Sequence, residues 1–466
     1  MDKPLANRFA EYAHHLRFEY LPAAVVHEAK RRFIDSFAAA VGAMDADAFH
    51  IAKRCALRIQ GSPSVSLLGG GRSSADWATF VNGLLIRYLD YNDTYLSKEP
   101  AHPSDNLAAV LAAGELMGSS GKELITAAVL AYEIQCRLCD AASLRKHGFD
   151  HVTYGALSSC LAACKLIKAG VEKTVHALGI AGVCNTALRQ TRSGELSMWK
   201  GCAFANAARN GVLAAYLADE GLTGPAPIFE GELGFMKILT GPLEVAPMGA
   251  ERSPATTVAG LSPRDFMITH TYIKFWPAEY HSQSAIDAAL QLRPAIKDQG
   301  TIQSMDIHTF DAAVDIIGKD PEKWRPKTRE TADHSLPYCT AVALLDGDVT
   351  MASFDDAHLN HRQLLDLAAK IKLHRDARAN AGYPQGIPNR LVVTLTDGRT
   401  LEKEVVYPRG HAENPMTDAE VERKFRTMVE PRYGAERVKN MLAALWDLDK
   451  ASHAESIIRL FDLTQD

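Results

Sequence analysis

Apolar residues recur every three to four positions through most of the first 265 residues of the chain. This spacing is typical of helices that bury one face, and the apolar faces here are rich in Ala and Leu. Small residues such as Ala203, Ala207 and Gly211 lie on these faces, so neighbouring helices can approach closely. The pattern predicts a tightly packed helical domain with helices over residues 5–20, 22–43, 74–90, 104–117, 121–142, 152–169, 172–184 and 197–219.

The pattern of apolar positions changes near residue 267. Residues 267–280 have the composition and alternation of a strand, and residues 301–309 form a second strand-like stretch. A helical pattern over residues 282–292 separates the two stretches. Strand and helix therefore alternate in this part of the chain, which indicates an α+β module.

Residues 390–407 alternate apolar and polar side chains around Asp397-Gly398, which predicts a β-hairpin. A helical pattern resumes at Thr417 and continues to the C-terminus. These observations predict a mainly α protein with an inserted α+β module, and a cleft between the two parts. The predicted organisation is a large all-helical domain that begins with residues 1–266, a smaller α+β domain at 267–408, and C-terminal helices at 409–466 that return to the helical domain.

Composition and charge narrow the classes of partner. The chain has 466 residues, 47% of them hydrophobic, and a net charge of −5 with acidic and basic residues mixed along it. No basic stripe is present, so nucleic acid is not an expected partner. No apolar run approaches the roughly 20 residues that span a bilayer, and acidic residues occur early in the chain, unlike a signal peptide. We therefore expect a cytoplasmic protein without a membrane segment.

Eight cysteines are few for this length, and disulfides are not expected. Cys136 and Cys139 form a Cys-x-x-Cys pair, which raises the question of an iron–sulfur cluster. The pair lies in a helix-like apolar run with no third cysteine nearby, so core packing is the favoured interpretation. His358 and His361 have a spacing open to zinc, but a solvated helix face is favoured for them.

The most informative segment is the polar stretch at residues 88–104, which lies between two apolar helical patterns. It contains Asp90, Asp93, Thr94 and His102, and its two carboxylates and imidazole are groups suited to moving protons at neutral pH. Ser104 is the expected N-cap of the next helix, so His102 lies just outside a helix N-terminus, where an anion is favoured. The alternative is a capped loop whose Asp and His side chains only satisfy backbone groups. Both interpretations are open at this point.

Two further segments place proton-carrying or charged residues inside apolar patterns. Lys200 stands at the start of a long helix of small residues, where it either faces a ligand or lies on the surface with its head in water. Lys274 lies among aromatic residues, and Glu279, Tyr280 and His281 follow in the turn before a helix. Three proton-carrying side chains in one turn favour a functional site.

Other motifs are weaker. Asp333 and Ser335 precede an apolar helix, and Asp333 is the favoured N-cap residue. The glycine-rich run at residues 68–74 resembles a phosphate-binding loop only superficially, because the GxxxxGK[ST] spacing is missing, and a flexible turn is expected there. The chain also lacks the GxSxG, HExxH and GxGxxG fingerprints, so hydrolase, zinc protease and nicotinamide chemistry have no direct support.

The polar motifs together resemble the 2-methylcitrate dehydratases of the MmgE/PrpD superfamily, over almost the whole chain. This superfamily also contains cis-aconitate decarboxylases and iminodisuccinate epimerases. The resemblance is carried by RYLDYNDTYLSKEPAHPSDN, MWKGCAFANAARN, IFEGELGFMK, YIKFWPAEYHSQSAIDAA, ETADHSLPY and YPRGHAENPMTDAEVERKFR.

The resemblance implies a helical domain, an α+β lid, an active site in the cleft between them, and usually a homodimer. It implies chemistry without a metal or organic cofactor. Carried onto this sequence, with our own reading of its charges, it gives the candidate catalytic residues Asp93, His102, Lys200, His281 and Tyr338. The candidate substrate-binding residues are Arg87, Thr94, His151 and Lys274.

The expected activity is elimination of water from 2-methylcitrate to give 2-methyl-cis-aconitate, a step of the methylcitrate cycle of propionate catabolism. In this hypothesis His102, assisted by Asp93, exchanges the proton at carbon, and His281 or Tyr338 protonates the departing hydroxyl. Lys200, Lys274 and Arg87 hold the three carboxylates of the substrate. Action on citrate or cis-aconitate, decarboxylation and epimerisation are alternatives within the superfamily. A carboxylate-binding protein without turnover and a cluster-dependent hydratase are alternatives of other classes.

Overall fold

The computed structural model of the protein describes residues 3–59, 62–193, 196–251 and 261–463. These residues form a mainly helical structure with a four-stranded and a two-stranded sheet. The predicted fold class, mainly α with a smaller α+β part, is confirmed. The chain divides into two compact units, the first made of residues up to Thr271 and from Thr417 onward, the second of Tyr272–Met416.

The first unit contains the eight helices that the apolar period predicts, together with one helix that it did not. The largest difference is in the first helix, which ends at His15 because Leu16 and Arg17 have extended backbone. The helices are α1 (Leu5–His15), α2 (Ala23–Gly42), the additional α3 (Asp47–Ala56), α4 (Ala75–Tyr88), α5 (Leu107–Leu116), α6 (Gly121–Ala141), α7 (Val152–Leu166), α8 (Val171–Cys184) and α9 (Trp199–Asp219). A short antiparallel pair, β1 (Val65–Ser66) and β2 (Arg72–Ser73), encloses the glycine-rich turn.

Small residues let the helices of the first unit pack closely, as their pattern predicts. A Cβ atom at Gly211 of α9 would lie 2.6 Å from the main-chain oxygen of Ala156 and 2.9 Å from the main-chain nitrogen of Cys160, both in α7. A Cβ at Gly83 of α4 would lie 3.1 Å from the Cβ of Ala205 in α9. Glycine is therefore required where these backbones cross.

The second unit is built around a mixed four-stranded sheet in the order β4-β3-β5-β6. Strand β3 is parallel to β4 and antiparallel to β5, and β5 and β6 form the predicted hairpin. Helix α10 packs on β5 and β6. The elements are α10 (Gln283–Leu292), β3 (Ile302–Thr309), α11 (Asp311–Ile317), α12 (Arg329–Ala332), α13 (Leu336–Asp346), α14 (Asp356–Leu359), α15 (Arg362–Ala368), β4 (Ile371–Arg375), α16 (Ala377–Gly382), β5 (Asn389–Leu395) and β6 (Thr400–Val405).

The strand predicted over residues 267–280 is wrong. This stretch contains short 3₁₀ turns at Met267–His270 and Tyr280–Ser282 with irregular backbone between them. The side chain of Gln283 takes the place of a neighbouring strand: its Oε1 accepts from the Trp276 amide at 3.2 Å, and its Nε2 donates to the main-chain oxygens of Trp276 and Ala278 at 2.8 and 3.0 Å. Backbone groups satisfied in this way need no strand partner.

The C-terminal segment belongs to the first unit. It forms α17 (Asp418–Tyr433), α18 (Ala435–Trp446) and α19 (Ala454–Ile458). A capping box starts α17, in which the Thr417 amide donates to Glu420 Oε2 at 2.6 Å and the Glu420 amide donates to Thr417 Oγ1 at 3.3 Å. Helix α17 packs against α2. Among the described helices, none has the length and apolar character needed to cross a membrane.

The close crossing of α7 and α9 predicts a specific sensitivity to one added methyl group. We expect Gly211→Ala to lower the free energy of unfolding by about 1–3 kcal/mol, because its Cβ meets main-chain atoms that cannot rotate away. A matched control is Gly170→Ala, whose Cβ meets nothing within 4 Å and which should cost less than about 1 kcal/mol. Chemical denaturation followed by far-ultraviolet circular dichroism measures both, and equal losses would contradict the packing argument.

Candidate functional site

The first unit gathers its polar groups around the carboxylate of Asp90, just beyond the end of α4. Arg87 Nη1 donates to Asp90 Oδ1 at 2.6 Å, Lys200 Nζ lies 3.3 Å from Asp90 Oδ2, and His102 Nε2 lies 3.9 Å from Asp90 Oδ1. Asp90 is buried and has a φ of 52°, in the left-handed region that few non-glycine residues adopt. One carboxylate thus joins three of the predicted site residues.

Asp90 was not among the predicted site residues, although it lies in the polar segment that pointed to the site. Sequence alone offers Asp90 and Asp93 as equivalent carboxylates in one loop. The left-handed backbone at Asp90 decides between them, because it turns this side chain toward Arg87 and Lys200. That backbone conformation has no signature in the sequence, since Asp is common in both loops and caps.

The ring of His102 is oriented by the loop that precedes it. Its Nδ1 lies 2.7 Å from the main-chain oxygen of Asp93 and 2.9 Å from Thr94 Oγ1. A carbonyl oxygen can only accept, so this contact assigns the proton of a neutral ring to Nδ1 and leaves the lone pair on Nε2. The Nε2 atom is the one nearer Asp90, at 3.9 Å from Oδ1. In this tautomer Nε2 can accept a proton.

The structure changes the role predicted for Asp93. Its carboxylate is fully buried, with Oδ1 accepting from the Ser104 amide at 3.0 Å and Oδ2 from the Tyr132 hydroxyl at 2.6 Å. Burial raises the pKa of Asp93, although Arg32, at 3.7 Å, acts in the opposite direction. We expected the Asp93 carboxylate to assist His102, but the bond to the His102 ring comes from the Asp93 main-chain oxygen. Asp93 holds the loop in shape.

Ser104 is not the N-cap predicted for the following helix. Helix α5 begins at Leu107, after a 3₁₀ turn at Pro103–Asn106. The Ser104 amide is bonded to Asp93, and its hydroxyl accepts from Asn92 Nδ2 at 2.9 Å. The amide and the hydroxyl of Ser104 thus bond to the preceding loop, and a 3₁₀ turn precedes the helix.

A second carboxyl group lies beside Arg87. Asp105 Oδ2 is 3.7 Å from Arg87 Nε, and Asp105 Oδ1 accepts from Asn92 Nδ2 at 2.7 Å. Burial raises the pKa of Asp105 to about 8, and Arg87 only partly offsets this effect. Burial alone would lower the pKa of Arg87, but Asp90 and Asp105 raise it. Arg87 therefore stays charged, and its counter-ion at pH 7 is Asp90 rather than Asp105, which is mostly protonated.

His151 lies at the N-terminus of α7, next to an ion pair. Its ring centroid is 6.0 Å from that of His102, and its Nδ1 lies 2.9 Å from Asp150 Oδ1. Asp150 Oδ2 lies 2.8 Å from Arg192 Nε. Burial lowers the pKa of His151 to about 4, and Arg192 adds to this effect against the opposing charge of Asp150. His151 is therefore neutral at pH 7.

Arg192 is a second residue that the sequence did not single out. It ends a 3₁₀ turn at Arg189–Arg192, in a stretch without helical or strand period. Its side chain is only 11% exposed, and burial lowers its pKa. No local pattern distinguishes this arginine from a solvated one, so its placement beside Asp150 depends on tertiary structure.

The second unit forms its own cluster around Glu279. Glu279 Oε1 lies 2.6 Å from His281 Nδ1, and Glu279 Oε2 accepts from the His281 amide at 2.8 Å. Burial would raise the pKa of Glu279, but His281, His334 and Lys274 lower it to about 2. His281 Nε2 lies 3.3 Å from the hydroxyl of Tyr383. The predicted Lys274 and His281 thus share one ionised carboxylate.

Tyr338 does not fit the role predicted for it. Its side chain is fully buried, and its hydroxyl donates to the main-chain oxygen of Ser353 at 2.8 Å. Burial raises its pKa, which disfavours release of its proton. Tyr383 is the tyrosine that contacts His281, and it lies in a turn before Pro384 where no pattern marks it.

Asp333 is not an N-cap residue. The caps are Thr328 for α12 and Ser335 for α13, whose Oγ accepts from the Tyr338 amide at 3.1 Å. The carboxylate of Asp333 bonds instead to Nδ1 of His334. This Asp–His pair lies near Glu279, because the Glu279 amide donates to the Asp333 main-chain oxygen at 2.8 Å.

The YPRGH motif supports the backbone beside Lys274. Gly410 has a φ of 96°, and a Cβ there would lie 2.0 Å from the main-chain oxygen of Ile273. The His411 ring stacks on Tyr272 with centroids 4.3 Å apart. Two motifs that are distant in sequence therefore pack on each other within the second unit.

The cysteine pair weighed as a cluster site is part of the helical core. Cys136 and Cys139 are fully buried in α6, and burial raises the pKa of both thiols, which disfavours the thiolate that a metal requires. Within the described ranges, no group of three or more His, Cys, Asp or Glu residues is arranged to hold a metal ion. His358 contacts Asp346 and Asp355, and His361 is exposed.

The lowered pKa of His151 predicts a specific loss of stability in acid. Unfolded histidine binds a proton below about pH 6.5, whereas folded His151 does not until about pH 4, so the free energy of unfolding falls as the pH falls between these values. We expect His151→Gln to remove about 2 kcal/mol of the stability difference between pH 7 and pH 5. Thermal or urea unfolding at both pH values measures it. His147→Gln, at an exposed histidine, is the control and should leave the difference unchanged.

The chain matches both domain models of one protein family. Residues 7–247 match the model of the MmgE/PrpD N-terminal domain, and residues 276–448 match that of the MmgE/PrpD C-terminal domain. Curated relatives match over most of the chain. A 2-methylcitrate dehydratase of Escherichia coli (strain K12) is 30% identical over 362 residues, covering 72% of this chain and 71% of the relative.

Two other relatives have similar coverage. A 2-methylcitrate dehydratase of Cupriavidus necator is 29% identical over 395 residues, covering 79% of this chain and 78% of the relative. An alkylcitrate dehydratase, phiI, of a fungal species is 30% identical over 376 residues, covering 74% of this chain and 71% of the relative. Both domain models match in order, and together they cover well over half of the residues, so the chain belongs to the MmgE/PrpD family.

Proposed function

We propose that the protein is a hydro-lyase that removes water from 2-methylcitrate and releases 2-methyl-cis-aconitate. Curated relatives named 2-methylcitrate dehydratase support the reaction class. The observation that carries the proposal is the placement of His102, whose Nδ1 is bonded to the Asp93 main chain and whose Nε2 faces Asp90. This arrangement suits a base that must take a proton from carbon.

Substrate carboxylates require positive charge at the site, since the chain as a whole has a net charge of −5. The first unit supplies Arg87, Lys200 and Arg192. Asp90 and Asp150 oppose them, whereas Asp105, with a pKa of about 8, is mostly protonated at pH 7. The cluster therefore keeps an excess of positive charge. Lys200, in the first turn of α9 with a side chain 13% exposed, is our candidate for direct contact with a carboxylate.

In the proposed reaction, His102 Nε2 takes the proton from the carbon that bears the methyl group. Negative charge then develops on the neighbouring carboxylate, where Lys200 stabilises it. The imidazolium that forms is stabilised by Asp90, 3.9 Å from Nε2. The C–H bond and the C–O bond of the tertiary hydroxyl break, and the electron pair of the C–H bond becomes the new C=C bond.

The departing hydroxyl needs a proton to leave as water. His281 is our candidate acid, because ionised Glu279 holds its Nδ1 and leaves Nε2 to deliver the proton. Lys274 is a candidate ligand for a second carboxylate. Tyr338 is left out, since its hydroxyl is bonded to Ser353.

The proposal predicts dehydration of 2-methylcitrate by the purified protein. We expect ultraviolet absorbance from the new double bond to appear without release of carbon dioxide. Citrate, cis-aconitate and a longer alkylcitrate, tested in parallel, define the substrate range, the last because of the alkylcitrate relative. Carbon dioxide release from cis-aconitate would indicate a decarboxylase instead. Calorimetric binding of 2-methylcitrate without turnover would indicate a binding protein.

His102 should be indispensable to turnover. We expect His102→Gln to lower kcat by about 10²- to 10⁴-fold, the usual contribution of a positioned general base, with little change in Tm. His176→Gln is the matched control, because His176 also bonds a main-chain oxygen through Nδ1, that of Gly224, at 3.1 Å. Near wild-type turnover by a folded His102→Gln protein would contradict the assignment.

The two aspartates of the loop should differ in their effect on kcat. Asp90→Asn removes the charge that stabilises the imidazolium, and we expect kcat to fall by about 10²-fold. It also leaves buried Arg87 without its counter-ion, so we expect Tm to fall as well. Asp93→Asn disturbs the buried bonds to Ser104 and Tyr132, and we expect a loss of about 1–3 kcal/mol in stability with a much smaller change in kcat. Steady-state kinetics and thermal unfolding of both variants measure this. A larger fall in kcat for Asp93→Asn than for Asp90→Asn would restore the role first predicted for Asp93.

A further inference from the structure

Helix α2 carries two charged residues, one turn apart, on the side of the polar stretch at residues 88–104, which we call the Asp90 segment. One contacts this segment directly and the other contacts it through a lysine. Arg32 Nε lies 3.7 Å from Asp93 Oδ2, and Asp35 Oδ1 lies 2.6 Å from Lys424 Nζ. Lys424 comes from α17, in the C-terminal part of the first unit. The Asp35–Lys424 pair is thoroughly buried, with side chains 0% and 4% exposed.

Lys424 also contacts the Asp90 segment directly. Its Nζ donates to the main-chain oxygen of Tyr91 at 2.7 Å and lies 3.7 Å from the centroid of the Tyr91 ring. An ammonium at this distance from an aromatic ring gains a cation–π interaction. One lysine thus binds the backbone and the side chain of the residue that follows Asp90.

The contact matters because Asp90 has an unusual backbone. Its left-handed φ of 52° persists only if the surrounding structure holds it. On the N-terminal side, the Asp90 amide donates to the Arg87 main-chain oxygen at 3.0 Å. On the C-terminal side, the Tyr91 oxygen is held by Lys424. A shift of this peptide would move the Asp90 carboxylate relative to His102 and Lys200.

We propose that Lys424 is a positioning residue for the reaction, which fixes the Asp90 carboxylate through the Tyr91 peptide, and that Asp35 is only the counter-ion of its ammonium. This inference rests on the proposed function. The simpler alternative is a buried ion pair that only joins α2 to α17. The two interpretations differ for a variant in which both members of the pair are neutralised. Such a variant leaves no uncompensated buried charge, but it lacks the bond to Tyr91.

The decisive comparison is between Asp35→Asn and the double variant D35N/K424M. The single variant keeps Lys424 and its bond to Tyr91, so we expect kcat with 2-methylcitrate within about 3-fold of wild type. The double variant lacks that bond, and we expect kcat to fall by about 30-fold or more with KM changed far less, since misplacement by about 1 Å can cost 10²-fold. Equal kcat values in the two folded variants would overturn the proposal.

Two further variants test the proposal even if D35N/K424M does not fold. Lys424→Arg retains a charged donor for the Tyr91 oxygen, and we expect it to keep at least a third of the wild-type kcat. A kcat as low as that of D35N/K424M in folded Lys424→Arg would contradict the proposal. Lys30→Met is the matched control, because Lys30 of α2 also pairs with the C-terminal segment, at 2.5 Å from Asp449 Oδ1. It should lower Tm and leave kcat unchanged. A fall in kcat equal to that of D35N/K424M would favour the purely structural role.

A measurement without substrate separates this inference from the proposed function. In protein labelled with ¹³C-histidine, with the His102 signal assigned from His102→Gln, the titration of His102 should change in D35N/K424M and remain unchanged in Asp35→Asn. An unchanged titration in both would overturn the positioning role even if wild-type protein dehydrates 2-methylcitrate. A changed titration with no wild-type turnover would overturn the proposed function and leave the positioning role standing.

Discussion

The interaction on which the first unit depends is the pairing of the Asp90 carboxylate with two cations. Arg87 is buried and lies at 2.6 Å, and the partly exposed Lys200 lies at 3.3 Å. The guanidinium of Arg87 would not be stable in so dry a place without a counter-charge. The helices pack with small residues at their crossings, and the polar groups concentrate where α4 ends and α9 begins. The second unit repeats the principle with Glu279, whose low pKa keeps one negative charge beside Lys274 and His281.

The two carboxylates meet their histidines in different ways. Asp90 lies nearest Nε2 of His102, whose Nδ1 is bonded to a main-chain oxygen, whereas Glu279 bonds the Nδ1 of His281 directly. The orientation of His102 therefore depends on the preceding loop, and the orientation of His281 depends on Glu279.

Much of the fold followed from the sequence because helical periodicity is strong in long segments. All eight expected helices of the first unit are present, as are β3, the hairpin and α10. The strand expected over residues 267–280 is absent because the side chain of Gln283 bonds to that backbone. The alternation of apolar and polar residues does not reveal such a bond. The contacts of the candidate site were harder to predict than its residue types. Asp90 contacts Arg87 and Lys200 through a backbone angle that the sequence does not reveal, Tyr383 contacts His281 through tertiary packing, and Arg192 lies in a stretch without period.

The bond between Lys424 and Tyr91 spans 333 residues of chain, and this separation has a consequence for biosynthesis. During translation the residues around Asp90 leave the ribosome long before α17 is made, because so much of the chain lies between them. Until α17 has been made, no lysine is available to hold the oxygen of Tyr91. The early helices can therefore collapse around their small residues before the backbone at Asp90 reaches its final angle.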